Sequence, residues 1–235
     1  ANTVDVRGEV YRPGRIGWSP GLRGSDILGA AGRDAIPAAG RSYSLLIRIK
    51  NQLLDIEVIQ FSLIDSLLNP EGDGDPELRV GAQVLVFSAP DVAPLAPSAY
   101  SRSKLLEPVL DKLALQSRDN EPRLTTSIRG AVKVPGEYPI LPGYKVQDLI
   151  RAAGGLKDSA FAGDAELKRV VETATGEAVE TYQRVNLGAL LSESGGPILK
   201  SRDSLLVKEI PDWNPNRNVT ITGEVRFPGT YSIRK

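Results

Sequence analysis

The chain has 235 residues and no His, Cys or Met, and its 29 basic and 29 acidic residues balance. Without His or Cys it lacks the usual general base, the usual nucleophile pairs and thiolate metal ligands, which argues against an enzyme and a disulfide-stapled fold. The neutral charge gives no electrostatic footprint for nucleic acid, and no apolar run approaches the roughly 20 residues of a membrane-spanning helix.

Residues 1–92 are predicted to form a first compact unit that opens with a β-hairpin. Apolar and charged side chains alternate along its first strand, which indicates that the strand is half buried. Gly8 falls on the apolar side, where a glycine indicates that another group comes close to the backbone. We predict that the following helix or the side chain of Ile16 packs directly over Gly8. Pro13-Gly14 supplies the turn.

The hairpin is followed by a predicted helix over residues 26–31, with Ser25 as its N-cap and Gly32 as its stop. Two alternating segments then predict a second hairpin, and one more predicts a closing strand, at residues 45–50, 53–61 and 80–87. Hairpin, helix, hairpin, loop and final strand is the element order of a β-grasp fold. The predicted fold class is therefore α+β.

Two features of this unit suggest a binding site. The acidic loop over residues 73–77 lacks the spacing of a calcium-binding EF-hand loop, so a solvated turn is the preferred interpretation. Trp18 has a face that suits a pyranose ring. It stands in register with Ile140 and Ile233 of later copies of the same pattern, which favours a core role over a ligand-binding role.

Residues 93–122 are predicted to connect the first unit to a second one. Residues 89–98 are Pro-rich and typical of a linker, and residues 103–116 have the apolar spacing of a helix. The narrow apolar stripe of this helix predicts that it docks on a flanking unit or on a neighbouring subunit. Pro108 must lie in its first turn or kink it.

Residues 123–211 repeat the plan of the first unit. The two copies superpose without a gap from the first strand to the end of the helix, which places Gly130 on Gly8, Pro135 on Pro13, Gly136 on Gly14 and Gly154 on Gly32. Pro135-Gly136 fits a type II turn, in which proline presets one dihedral and glycine supplies the positive one. The remaining elements are predicted at residues 146–153, 166–172, 179–185 and 204–208, with a turn at Thr175-Gly176 between the second and third of them.

Residues 212–235 begin a third copy and contain only its hairpin, with Gly223, Pro228 and Gly229 at the repeated positions. A hairpin with no helix to cover it is marginally stable, and its edge can pair with another strand. We expect this hairpin to be poorly ordered, or to lean on the second unit or on another molecule.

The repeated motif is G-E-V-x-x-P-G-x-I over residues 8–16, G-A-V-x-x-P-G-x-Y over 130–138 and G-E-V-x-x-P-G-x-Y over 223–231. With the trailing P-G…D-L-I-x-A-A-G-G, it resembles the SLBB domain, a soluble-ligand-binding β-grasp. The arrangement is similar to the periplasmic part of bacterial capsule and exopolysaccharide biosynthesis/export proteins. The resemblance implies tandem β-grasp domains, two complete and one truncated.

By this resemblance the chain is expected to be a non-enzymatic periplasmic module associated with the outer membrane, which mediates subunit assembly or glycan handling at a polysaccharide translocon. The expected partners are polysaccharide, other export subunits and further copies of the full-length protein, with no nucleic acid and no cofactor. Contact with the membrane would come only through parts outside this sequence. Because Met is absent even at position 1, we expect a piece of a longer exported protein.

The alternative is a binding module for a soluble saccharide. Arg7 and Arg129 take equivalent places on the outer side of the first strand, where they could contact an acidic polysaccharide, although a solvated strand arginine is the preferred interpretation. With Trp18, they are the candidate ligand-binding residues.

Overall fold

A computed structural model describes residues 2–10, 13–30, 39–91, 101–117, 123–172, 177–192, 196–213 and 218–232 of the chain. Several sequence predictions lie outside these residues: the helix stop at Gly32, most of the linker over 89–98, the turn at Thr175-Gly176 and the core position of Ile233.

The first unit contains five described strands, which form one sheet, and two described helices, which pack against that sheet. They are β1 (Thr3–Gly8), β2 (Gly14–Gly17), α1 (Gly24–Ala30), β3 (Ala39–Ile49), β4 (Ile56–Phe61), α2 (Leu63–Leu68) and β5 (Gln83–Ser88). The sheet order is β2-β1-β5-β3-β4, and only the β1–β5 pair is parallel.

A connecting helix, α3 (Arg102–Leu115), leads to the second unit. Its elements are β6 (Thr125–Gly130), β7 (Gly136–Pro139), α4 (Val146–Ala152), β8 (Ala160–Glu172), β9 (Ala178–Val185), α5 (Leu187–Ser192) and β10 (Ser204–Glu209). The order β7-β6-β10-β8-β9 reproduces that of the first sheet, again with one parallel pair, β6–β10. The architecture agrees with the predicted α+β class.

The third hairpin consists of β11 (Asn218–Ile221) and β12 (Gly229–Ser232), which pair only with each other in the described part of the chain. Tyr231 keeps the hydrogen bond that Tyr138 makes in the second unit, since each hydroxyl donates to the carbonyl four residues earlier, at 2.8 and 2.7 Å. Tyr138 is buried, whereas Tyr231 is 45% exposed.

The turns of the second unit differ from the prediction. Gly136 begins β7 with φ outside the left-handed region, so Pro135-Gly136 is not a type II turn. The type II turn lies at Pro142-Gly143, where φ of Gly143 is +81° and Tyr144 N–H donates to the Leu141 carbonyl at 3.0 Å. The loop after β6 instead pairs its backbone with residues that follow α4.

Gly8 and Gly130 are required by a close backbone contact, but with a different group from the predicted one. Each has positive φ, +100° and +88°, and a Cβ at either position would overlap the carbonyl oxygen of Val86 or Val207 on the parallel partner strand. Those carbonyls accept the N–H of the next residue, Glu9 or Ala131, at 2.9 Å. The prediction that the following helix, α1, or Ile16 lies closest to Gly8 is therefore wrong; the nearest side chain is Leu105 of α3, whose Cδ1 would lie 3.3 Å from that Cβ.

Helix α1 begins at Gly24, so Ser25 lies inside it and is not the N-cap. The cap comes from the acidic loop: buried Asp75 accepts the Ser25 N–H at 2.8 Å and the Ser25 hydroxyl at 2.6 Å. Asp75 also accepts the Glu71 N–H at 3.1 Å, which closes its own loop. The prediction of a solvated turn is wrong for Asp75, because its carboxylate is needed at the helix terminus.

Two short helices, α2 and α5, were not predicted, and β3 and β8 begin earlier than expected, at Ala39 and Ala160. The first residues of the two helices, Leu63 and Leu187, are buried in the cores. Because these helices have only six residues each, their apolar side chains do not show a helical period in the sequence.

Helix α3 packs against both units, as its apolar stripe predicted. Its buried residues Leu106, Val109 and Leu113 belong to one hydrophobic cluster that includes Leu85 of β5 and Tyr138 of β7. Pro108 lies in the middle of the helix and not in its first turn.

Candidate functional site

The outer faces of the two sheets differ in what covers them. In the first sheet the face that includes Leu45, Ile47 and Leu85 is buried in the cluster that contains α3. The strand pairing places Glu166, Lys168 and Leu206 at the same positions of the second sheet. There Leu206 is 41% exposed, and the neighbouring side chains are polar.

We name this surface the open face. It consists of two rows of side chains that cross β6, β10, β8 and β9 in register: Ser127, Ser204, Lys168 and Tyr182 in one, and Arg129, Leu206, Glu166 and Arg184 in the other. The inward residues of the same strands, such as Ile128, Leu205 and Leu167, are buried. The period of two along each strand therefore separates this face from the core.

Hydrogen bonds connect the side chains of the open face. The Ser204 hydroxyl accepts from the Ser127 hydroxyl at 2.9 Å and from the Arg129 guanidinium at 3.0 Å. Among the described residues no group accepts the proton of Ser204, so this hydroxyl can donate to a ligand. Serine, arginine and carboxylate groups together offer donors and acceptors on one face of the sheet.

Glu180 of β9 contacts two side chains at the other side of the open face. It pairs with Lys168 and accepts the Tyr182 hydroxyl at 2.8 Å. The hydrogen bond from Lys168, followed by that from Tyr182, lowers the pKa of Glu180. The bond to Glu180 raises the pKa of Lys168 and of Tyr182, so all three groups keep their ordinary charge at neutral pH. Tyr182 remains 60% exposed, with its ring available for stacking.

The structure separates the three candidate ligand-binding residues. Arg129 lies on the open face, whereas Arg7 pairs with Asp5 at 2.8 Å and borders α3 beside Lys104 and Lys112. Trp18 packs against the first core and donates its indole N–H to the Leu78 carbonyl at 2.7 Å.

Sequence reasoning did not identify Lys168, Glu180, Tyr182 and Ser204 as members of a site. The sequence does contain a signal for this face. When β3 is aligned with β8, the aliphatic residues Leu45 and Ile47 correspond to the charged residues Glu166 and Lys168.

A concavity lies between the two units. It has a volume of about 680 Å³ and is bordered by Phe61 and Asp65 of the first unit and by Tyr144, Asp148 and Arg151 of the second. Asp148 is already used, since its carboxylate accepts the Lys145 N–H at 2.9 Å, as Asp26 accepts the Arg23 N–H in the first unit. This contact explains why an aspartate recurs at this repeat position: it caps the helix.

The described residues contain no group of three or more acidic side chains arranged to hold a metal ion. Within the same residues, no helix has the length and apolarity needed to cross a membrane.

Residues 125–183 match the family model of the SLBB domain. No curated protein matches the chain. The matched range runs from β6 into β9 and therefore carries five residues of the open face, namely Ser127, Arg129, Glu166, Lys168 and Tyr182. The match indicates a soluble-ligand-binding module in this part of the chain.

Proposed function

We propose that this chain is a non-enzymatic periplasmic module of a polysaccharide export machine, and that it handles glycan on the open face. The supporting observation is the contrast between the two sheets. The same fold places aliphatic side chains under α3 in the first unit and leaves hydrogen-bonding side chains uncovered in the second. An uncovered face with directed donors and acceptors suits a hydroxyl-rich ligand.

The open face also suits a chain that must move past it. Its charges are of both signs, and its contacts would be hydrogen bonds donated by Ser204 and Arg129 and accepted by the Tyr182 hydroxyl, whose own proton goes to Glu180. Such contacts are individually modest, about 0.5 to 1.5 kcal/mol for neutral groups, so a glycan would bind weakly and release readily. This supports transit over permanent capture.

Titration with a panel of neutral and uronic-acid-containing oligosaccharides, followed by backbone NMR, tests this proposal. At least one member should shift Ser127, Arg129, Lys168 and Tyr182 saturably. Arg129→Gln should weaken that binding roughly tenfold, about 1.4 kcal/mol, because it removes a charged donor. Arg7→Gln is the matched control: it changes the equivalent arginine of the covered sheet and should leave affinity unchanged. Absence of any shift on the open face across the panel would contradict the proposal.

Subunit assembly is a second candidate function, supported by the third hairpin. Its side chains Val219, Ile221 and Phe227 are 43, 40 and 69% exposed, whereas Val4 and Val6 at the first two equivalent positions are buried. An apolar two-stranded sheet of this kind can pair with a further strand. Self-association measured by sedimentation, reduced by Ile221→Ser, would support assembly; a monomer at all concentrations would count against it.

A further inference from the structure

Trp213 is a large apolar side chain that is partly exposed to solvent. It lies in the turn after β10 and is 44% exposed, whereas Trp18 packs against a core and uses its indole N–H. The Trp213 backbone N–H donates to the Ile210 carbonyl at 3.2 Å, and Asp212 before it has φ of +55°. The turn therefore holds a large apolar side chain at the surface.

Trp213 borders a depression of about 790 Å³. We call it the Trp213 depression; its charged lining residues are Asp91, Lys133, Lys157, Asp158, Glu209 and Asp212. Asp91 and Asp212 each follow a proline at the exit of a closing strand, β5 or β10, so the exits of the two units meet at this place. The sequence repeat alone does not bring them together.

The lining of the depression has both donors and acceptors. Asp91 pairs with Lys133 at 2.8 Å, and Glu209 accepts the Ser159 hydroxyl at 3.2 Å. A hydroxyl group both donates and accepts, so a polyol can satisfy the carboxylates and the ammonium groups together. An anionic ligand would meet four carboxylates against two lysines.

We infer that the Trp213 depression binds a neutral pyranose, whose apolar C–H face stacks on the Trp213 indole while its hydroxyls contact Asp158, Lys157 and Glu209. This inference rests on the proposed function and gives it a second contact point. It also specifies the ligand: an uncharged sugar unit. Because β6 and β10 run parallel, Trp213 after β10 and Arg129 near the end of β6 lie at the same end of the second sheet.

The indole Nε1–H signals provide a direct test, because the chain has two tryptophans. Trp18→Phe and Trp213→Phe assign the two signals. Neutral gluco-, galacto- and manno-oligosaccharides are then added to the full chain up to about 10 mM, which detects millimolar affinity. At least one sugar should move the Trp213 signal saturably and leave that of Trp18 unchanged. Asp158→Asn should weaken this binding by fivefold or more, and so should Trp213→Ala, for which the backbone NMR shifts of the lining residues replace the lost indole signal.

The outcomes separate this inference from the proposed function. A shift on the open face with no movement of the Trp213 signal overturns the inference and leaves the proposed function standing. A Trp213 shift that is insensitive to Arg129→Gln supports the inference and removes the open face from the site. If no sugar moves the Trp213 signal, the inference is wrong; a melting temperature lowered by several degrees in Trp213→Ala then identifies the side chain as a packing residue.

Discussion

Val207 places its carbonyl oxygen where the Cβ of any larger residue at position 130 would have to lie. The same contact occurs between Val86 and Gly8, and at both places a tight turn follows the glycine. Gly223 keeps the turn and a φ of +107°, but nothing lies within 4 Å of its missing Cβ. At Gly223 only the backbone conformation favours glycine, whereas at Gly8 and Gly130 the closeness of a carbonyl oxygen requires it as well.

Gly130→Ala should lower the free energy of unfolding of the second unit by roughly 3 kcal/mol or more, because it adds a steric overlap to the strain of positive φ. Chemical denaturation followed by circular dichroism measures the loss. Gly223→Ala is the matched control, since it introduces the conformational strain alone. Equal midpoints for Gly130→Ala and the unmodified chain would show that Val207 does not exclude a side chain.

Three tyrosines are buried where the two units and α3 meet. Burial, the largest cause in each case, raises the pKa of Tyr43, Tyr138 and Tyr144 above the ordinary value of 10.0. Their folded-state pKa exceeds that of the unfolded chain, so their contribution to stability is complete below about pH 10 and is lost as the pH rises above it. Alkaline conditions should therefore unfold the protein.

Tyr43→Phe should leave stability at pH 7 unchanged or raise it by up to about 1 kcal/mol, because the buried Tyr43 hydroxyl has no hydrogen-bond partner among the described residues. It should also extend stability to higher pH, since one titrating group is removed. Tyr138→Phe is the matched comparison: the Tyr138 hydroxyl donates to the Val134 carbonyl at 2.7 Å, so its loss should cost about 1 kcal/mol. Denaturation midpoints of both variants at pH 7 and pH 11 test the prediction. A larger loss of stability at pH 7 for Tyr43→Phe than for Tyr138→Phe would contradict it.

At the scale of elements, α1 depends on a residue that is distant in sequence. The helix has seven residues, too few to be stable alone, and its N-terminal groups bond to Asp75 from the loop before β5. In the second unit Asp203 has a comparable buried position but pairs with Arg169, at 2.6 Å. The two copies thus use different carboxylates to fix the loop before the closing strand.

Asp75→Ala should destabilise the first unit by about 1 to 2 kcal/mol, since it removes the helix cap and leaves the part-buried N–H groups of Ser25 and Glu71 without that acceptor. Asp73→Ala, in the same loop but exposed, should change stability by no more than about 0.5 kcal/mol. Thermal unfolding of both variants gives the comparison. Indistinguishable melting temperatures would show that Asp75 does not hold α1.

At the scale of the whole molecule, α3 joins the two units through polar contacts as well as apolar ones. The buried Arg102 guanidinium donates to the Ala152 carbonyl at the end of α4 and, at 3.1 Å, to the Ser88 carbonyl at the end of β5. It lies over the rings of Tyr43 and Phe87, with centroid distances of 5.3 and 5.4 Å. A single side chain thus contacts both units.

Arg102→Met should uncouple the unfolding of the two units, because it keeps the side-chain volume but removes both carbonyl contacts. Denaturation is followed by tryptophan fluorescence. In a Trp213→Phe background the remaining Trp18 reports the first unit, and in a Trp18→Phe background the remaining Trp213 reports the second. The two transitions should coincide with Arg102 present and separate with methionine. Lys104→Met, on the exposed side of the same helix, should not separate them. Coincident transitions in Arg102→Met would show that apolar packing alone couples the units.

The other end of α3 completes an edge strand. The Gln116 amide accepts the Ile56 N–H at 2.8 Å and donates to the Ile56 carbonyl at 3.0 Å, as a paired strand residue would. No local pattern around Gln116 indicates this bond, since the two residues are far apart in sequence. The contact exists only because α3 crosses the first sheet at that position.

The sequence by itself determined the elements that depend on local chemistry. Alternation predicted the strands, helical spacing and glycines predicted α4 and its end, and the repeat predicted that two sheets would share one element order. The short helices α2 and α5 and the cap from Asp75 were not predictable, because six residues carry no clear period and a distant carboxylate leaves no local signal.

Only the tertiary structure decided which face of each sheet meets solvent. Glu166 and Lys168 reveal a polar strand, but a strand does not show whether a helix or a neighbouring unit covers it. In the first sheet Leu45 and Ile47 are buried in the cluster that contains α3, while in the second no described element covers the open face. Burial depends on which distant segments pack together, and this is set by the whole chain rather than by any one stretch of it.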